Sequence, residues 1–161
     1  MQELQHGLER IGLLMIKNEY QVVPHIPSVI VQQIRILIAD DHADVLDDIR
    51  DLLEPDFEVV GAVGDGQQLL NAAETLKPDV IVTDISMPRL NGIEASRRII
   101  EKFPDSKIIL LTMHNDPALI EQGFAAGALG YVLKVKANMD LAKAIYQAIE
   151  GKRFPAQPAK V

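Results

Sequence analysis

From Ile34 onward, short apolar runs of strand length alternate five times with segments whose apolar residues recur at helical spacing. The runs occupy residues 34–39, 57–63, 80–83, 108–112 and 130–133. Between them, Val45, Leu46, Ile49, Leu52 and Leu53 mark a first helix, and Leu69, Leu70, Ala73 and Leu76 a second. Ile93, Ile99, Ile100 and Phe103 mark a third. A fourth, over 117–126, is less periodic, with Ile120 and Phe124 as its anchors. Leu141, Ala144, Ile145, Ala148 and Ile149 mark a fifth, with Asn138 as its expected N-cap. Strands that are apolar almost throughout, separated by amphipathic helices, belong to a parallel sheet covered on both faces. Right-handed crossovers then leave few topologies, and a doubly wound α/β sandwich is the economical one.

Residues 1–33 follow another pattern. Leu4, Leu8, Ile11 and Met15 recur at steps of four, three and four, which is one face of a helix. Pro24 and Pro27, set among Val and Ile, make 20–33 extended and irregular. The expected organisation is therefore an N-terminal extension over 1–33, a single α/β domain over 34–154, and a short tail over 155–161.

Composition narrows the chemistry. The 161 residues include no Cys, which removes disulfides, thiolate catalysis and Cys-based metal sites. A formal charge of −7, from 16 basic and 23 acidic residues, argues against a surface built to neutralise nucleic-acid phosphates. No apolar run approaches the ~20 residues that span a bilayer. The expectation is a cytoplasmic protein that binds neither membrane nor nucleic acid directly.

In an open parallel sheet, ligands bind beyond the carboxyl ends of the strands. The first strand runs into Asp40-Asp41, the third into Asp84, the fourth ends in Thr112 and the fifth in Lys134. Taken singly, each has a structural explanation: a helix cap, a turn residue, a β-branched strand residue, a solvated strand end. Taken together they gather three carboxylates, an ammonium and a hydroxyl on one edge. Three close carboxylates do not all stay ionised without a compensating cation. A hard divalent ion with oxygen ligands, Mg²⁺ among them, answers that need. A carboxylate nucleophile, a metal, a Lys and a hydroxyl donor match phosphoryl transfer, which is mainly positioning and charge stabilisation.

These residues, in this order on strand ends, resemble the receiver domain of bacterial two-component response regulators. The stretches Ile36-Leu37-Ile38-Ala39-Asp40-Asp41-His42, Asp84-Ile85-Ser86-Met87-Pro88-Arg89-Leu90-Asn91-Gly92 and Gly130-Tyr131-Val132-Leu133-Lys134 each carry the likeness. His42, Gly92-Ile93-Glu94-Ala95 and Leu111-Thr112-Met113-His114 resemble the nitrate-regulator or LuxR-type branch. The resemblance implies a flavodoxin-like fold, a five-stranded parallel sheet in order 2-1-3-4-5 with five helices. It implies that Asp84 is the phosphoacceptor, charged from a sensor histidine kinase. Asp40, Asp41, Asp84 and the backbone carbonyl of Ser86 would hold Mg²⁺. Lys134 and Thr112 would meet the phosphoryl group, Tyr131 would rotate inward as Thr112 moves, and the side chains of Ser86 and His114 would tune dephosphorylation. A phosphorylation-linked homodimer through the first and fifth helices, and transcription regulation through an output domain or partner, complete the implied picture.

One position departs from the common pattern: Val135, not Pro, follows Lys134. A cis bond before a non-proline residue costs ~3 kcal/mol, so a trans peptide is expected there. His6, His25 and His42 show no metal-ligand spacing and are expected at the surface. Gly61, Gly64 and Gly66 do not form a dinucleotide fingerprint, because their spacing is G-x-x-G-x-G and they follow the second strand. A turnover phosphohydrolase with an aspartyl-phosphate intermediate would carry a second Asp two residues after the first. Ser86 stands there, so the leaving group has no acid donor, and the chain is expected not to be an enzyme beyond its own phosphorylation and dephosphorylation. Only 11 residues follow Glu150, too few for a helix-turn-helix, so the expectation is a stand-alone regulator or the receiver part of a longer transcription factor.

Overall fold

The computed structural model describes residues 13–16, 21–24 and 32–155, which fall into two compact units divided between Gln32 and Gln33. In the first unit, Leu13–Ile16 pairs antiparallel with Gln21–Pro24, placing Leu13 opposite Pro24 and Ile16 opposite Gln21. Met15, expected on a helical face, therefore stands in a strand. Leu13-Leu14-Met15-Ile16 is apolar at four successive positions and leaves no polar face for a helix, while Val22-Val23 favours the extended partner. The rest of the expected stripe, Leu4, Leu8 and Ile11, lies outside the described residues.

The second unit is the α/β domain. Its strands are β1 (Arg35–Ala39), β2 (Glu58–Val63), β3 (Val80–Asp84), β4 (Lys107–Thr112) and β5 (Gly130–Leu133). Its helices are α1 (Ala43–Leu53), α2 (Gly66–Leu76), α3 (Gly92–Lys102), α4 (Pro117–Ala125) and α5 (Ala137–Ile149). All neighbouring strands pair in parallel, in the order β2-β1-β3-β4-β5, which is the order the sequence resemblance implies. The period of two along each strand splits the core into halves. Leu37, Ala39, Ile81, Ile108 and Leu110 face α2 and α3 through Leu69, Ala73, Ile93 and Ile99. Ile36, Ile38, Val80, Val82, Ile109 and Leu111 face α1 and α5 through Ile49, Leu53, Leu141 and Ile145. Helices therefore cover both faces, and the strand ends are left as the open edge.

The caps differ in part from expectation. Asn138 lies inside α5, which starts at Ala137 after a 3₁₀ turn over Lys134–Lys136 and has no side-chain cap. The continuous path from β5 through that turn into the helix leaves no break for a capping residue to fill. Asp65, Asn91 and Asp116 instead cap α2, α3 and α4, accepting from the N–H groups of Gln68, Glu94 and Ala118. The weak periodicity of α4 has a structural counterpart, because Gly123 is its only buried residue.

Among the described residues the one cis peptide is Phe154–Pro155, so Lys134–Val135 is trans, as expected. The chain after α5 returns to the free edge of β5. Phe154 N–H donates to the Leu129 carbonyl at 2.9 Å, and Tyr131 N–H donates to the Phe154 carbonyl at 2.8 Å. Arg153 lies over the Phe124 ring of α4, 5.0 Å from its centroid. This short return covers an edge that would otherwise offer unpaired backbone groups.

Candidate functional site

The strand-end residues lie along one edge of the sheet, where Lys134 bridges Asp40 and Asp84. Its Nζ lies 2.6 Å from Asp40 Oδ2 and 3.5 Å from Asp84 Oδ2. Asp40 is fully buried at 0% exposure, and Lys134 is 13% exposed. Asp40 Oδ2 accepts no hydrogen bond of ordinary geometry, so the ammonium is its charge partner. Asp84 closes β3, and its two oxygens are in different settings. Oδ1 accepts from the Ile85 N–H at 2.8 Å, while Oδ2 faces the Lys134 ammonium. Burial raises the Asp84 pKa above the ordinary carboxylate range; Lys134 opposes this and the Asp40 carboxylate adds to it.

That shift has a consequence for stability. An acid whose folded pKa is raised contributes most below its unfolded pKa and loses that contribution as pH rises through the folded value. Asp84→Asn is therefore expected to raise the melting temperature at neutral pH in metal-free buffer, with the gain shrinking as pH falls into the ordinary carboxylate range. Calorimetry across that range checks it. A gain that does not change with pH would mean that ionisation of Asp84 is not its cause.

Asp41 and His42 lead from β1 into α1. The His42 Nδ1 lies 3.1 Å from both Asp40 Oδ1 and Asp41 Oδ1, and the His42 N–H donates to Asp40 Oδ1 at 2.9 Å. His42 is at the surface as expected, with 64% of its side chain exposed, yet it belongs to a cluster with both carboxylates that spacing along the sequence did not reveal. Its pKa is raised by the hydrogen bond to Asp40 and then by the charge of Asp41.

On the other side, Thr112 closes β4 and is buried. Its hydroxyl accepts from the His114 N–H at 3.2 Å, and the Tyr131 hydroxyl donates to the His114 carbonyl. Tyr131 is 6% exposed, with its hydroxyl on the His114 carbonyl in this state. Burial raises its pKa. Ser86 and His114 are exposed and flank the site on the loops after β3 and β4.

Two glycines fix how closely the loops approach. A Cβ on Gly92 would lie 1.9 Å from the carbonyl oxygen of Asp84, and one on Gly66 would lie 2.0 Å from that of Leu90. Asp65 and Arg89, missed in the sequence, meet at the second of these approaches. Asp65 is buried, its carboxylate pairs with the Arg89 guanidinium, and its pKa is lowered by the Gln68 N–H and by Arg89. Arg89 has φ +66°, a left-handed conformation that costs a side-chain-bearing residue about 1–3 kcal/mol. The Asp65-Gly66 pair just before an apolar period was the legible signal for the cap, though not for the ion pair.

Comparisons with known proteins identify the family. The chain matches the response regulator receiver domain family over residues 36–146. It is 39% identical to the transcriptional regulatory protein DegU of Brevibacillus brevis, over 73% of this chain and 49% of that one. A crystal structure of a LuxR-family two-component response regulator from Aurantimonas sp. SI85-9A1 superimposes with a TM-score of 0.71 at 35% identity, covering 74% of this chain and 86% of the other. The isolated receiver domain of RcsB from Salmonella enterica serovar Typhimurium, in the presence of the phosphomimetic BeF₃⁻, gives a TM-score of 0.69 at 38% identity, over 76% and 92%. The chain spans about half the length of the curated relatives it matches.

Proposed function

Because this chain belongs to the response regulator receiver domain family, on its LuxR/NarL-type branch, we propose that it is a phosphoacceptor switch charged at Asp84 by a sensor histidine kinase. The observation that carries this is the placement of the Lys134 ammonium between the buried Asp40 carboxylate and Oδ2 of Asp84. Oδ1 is held by the Ile85 N–H, so Oδ2 is the oxygen that forms the new bond to phosphorus while the bond from phosphorus to the donor nitrogen breaks. Lys134 stays beside the oxygens that gather charge. The side-chain oxygens of Asp40, Asp41 and Asp84 with the Ser86 carbonyl are a hard donor set that suits a divalent cation such as Mg²⁺, and oxygens of Asp40 and Asp41 already lie together in one cluster. When bound, that cation offsets the negative charge that donor and carboxylates bring together.

The domain boundaries we propose are 34–154 for the receiver, with 1–33 as an extension and 155–161 as a tail. Thr112 accepts from the His114 N–H in this state; we assign its hydroxyl the role of donor to the phosphoryl group. Its movement is carried through His114 to the Tyr131 hydroxyl. Ser86 and His114, exposed at the mouth, are assigned to tuning the lifetime of the acyl phosphate. The proposed output is transcription regulation from the cytoplasm, through an output domain or partner. The proposed dimer places exposed Asp47, Asp48 and Asp51 of α1, with Glu54 just beyond it, against Lys143 of α5 and Lys152 of a second copy, around the half-exposed Tyr146. Arg153, which lies over Phe124, is turned to other work.

Thr112→Ala is expected to leave Mg²⁺ binding within about twofold of the native protein while reducing the response of Tyr131 to the phosphoryl mimic beryllofluoride. The substitution removes the hydroxyl that links the site to His114 without touching a carboxylate. NMR resonances of the Tyr131 ring, with and without beryllofluoride, measure it. A full native shift in the variant would show that Tyr131 is not coupled through Thr112.

A further inference from the structure

We propose that Arg89 and Asp65 form a latch that positions the loop carrying Asp84, a role that rests on the phosphoacceptor reading above. Arg89 sits at the centre of a three-residue turn in which the Leu90 N–H donates to the Pro88 carbonyl at 2.8 Å. Its φ of +66° belongs to the rarer, strained hand of that turn, where Gly or Asn would sit with less strain. A long cationic side chain in that position is explained by what it reaches. The guanidinium extends to Asp65, whose carboxylate is 4% exposed although the Arg89 side chain is 71% exposed. The other Asp65 oxygen accepts from the Gln68 N–H at 2.8 Å, so this carboxylate is fixed before the Arg arrives.

The latch spans the site. On one side, the Asp40 N–H donates to the Val63 carbonyl at 3.0 Å, which ties the end of β2, two residues before Asp65, to the first carboxylate of the site. On the other, Arg89 lies in the loop that begins with Asp84 and includes Ser86. The far end of that loop is held where the Gly92 N–H donates to the Ile85 carbonyl at 2.8 Å. The Leu90 carbonyl passes directly over Gly66, next to the ion pair, so backbone contact and charge act at the same point. Asp65 and Arg89 therefore set the spacing between the β1 carboxylates and the Asp84–Ser86 loop, and touch no phosphoryl oxygen themselves. Arg89 is a positioning residue.

The test uses the whole chain and four variants: Arg89→Ala, Arg89→Gly, Asp65→Asn, and Arg89→Ala with Asp65→Asn. Asn keeps the cap of α2 and removes the charge, while Gly removes both the pair and the backbone strain. Two quantities are read: the Mg²⁺ concentration that half-saturates the Ser86 and Met87 amide resonances, and the rate of labelling by acetyl phosphate. Each single variant is expected to raise the first and lower the second by about threefold to tenfold. The double variant should be no worse than its parents, because both remove one interaction. Arg89→Gly should show the loss without a lower melting temperature, which a purely structural role would not produce. Unchanged half-saturation and labelling in Arg89→Gly and Asp65→Asn, or losses that multiply in the double variant, would overturn the latch. A native protein that is not labelled at Asp84 would remove both the phosphoacceptor reading and this inference; a labelled native protein with unaffected variants would remove the inference alone.

Discussion

Lys134→Ala is expected to slow labelling of Asp84 by about a hundredfold or more, the usual loss when a single preorganised charge donor is removed. It should also destabilise the metal-free domain by on the order of 3 kcal/mol, since it leaves buried carboxylates without their partner. Both follow from one placement: Asp40 Oδ2 has the ammonium at 2.6 Å and no hydrogen bond, and Asp84 Oδ2 shares the same cation. The two losses separate by condition. Lowering the pH protonates Asp84, whose pKa burial already raises, and should restore part of the lost stability. It should not restore labelling, which needs the ionised carboxylate and the cation together. Urea unfolding at neutral and acidic pH, beside labelling rates, measures both. A variant as stable as the native protein at neutral pH would show that Lys134 does not balance these carboxylates.

Gly92→Ala is expected to cost roughly 3 kcal/mol and to abolish labelling in whatever fraction folds. The added Cβ would lie 1.9 Å from the Asp84 carbonyl oxygen and 2.9 Å from its carbon, and these are backbone atoms that no rotamer change can move. Relief requires α3 to withdraw from β3, which breaks the bond from the Gly92 N–H to Ile85 and shifts Asp84 itself. Gly64→Ala is the control, because its Cβ would meet nothing closer than 3.9 Å and its cost should stay within about 0.5 kcal/mol. Equal melting temperatures for the two variants would contradict the close approach.

The sheet was legible because its strands are apolar on both faces, and nothing but a doubly covered parallel sheet accommodates five such runs separated by amphipathic helices. The principal site residues were legible for a related reason: Asp40, Asp84, Thr112 and Lys134 are polar at the ends of apolar strands, where topology sends them all to one edge. What stayed hidden depends on geometry between loops. The Asp65–Arg89 pair joins residues from different βα connections, with no periodicity linking them. His42 has no metal-ligand spacing because its partners are its immediate neighbours, brought round by the turn into α1. The resemblance links Tyr131 to Thr112, but not the bond of its hydroxyl to the His114 carbonyl, an acceptor on a different loop. The helical stripe of the extension failed at Met15 because a four-residue apolar run satisfies a strand equally well, and pairing with Gln21–Pro24 decides between them.

The central claim is that Oδ2 of Asp84, presented beside Lys134, is the atom that accepts a phosphoryl group. Intact-mass spectrometry after incubation with acetyl phosphate and Mg²⁺ tests it most directly. The native protein should gain one phosphoryl group, lost in base or hydroxylamine as an acyl phosphate is, and should gain none when Mg²⁺ is chelated. Asp84→Asn, which keeps the bond from Ile85 and the shape of the side chain, should gain none under any condition. Undiminished labelling of Asp84→Asn would contradict the account.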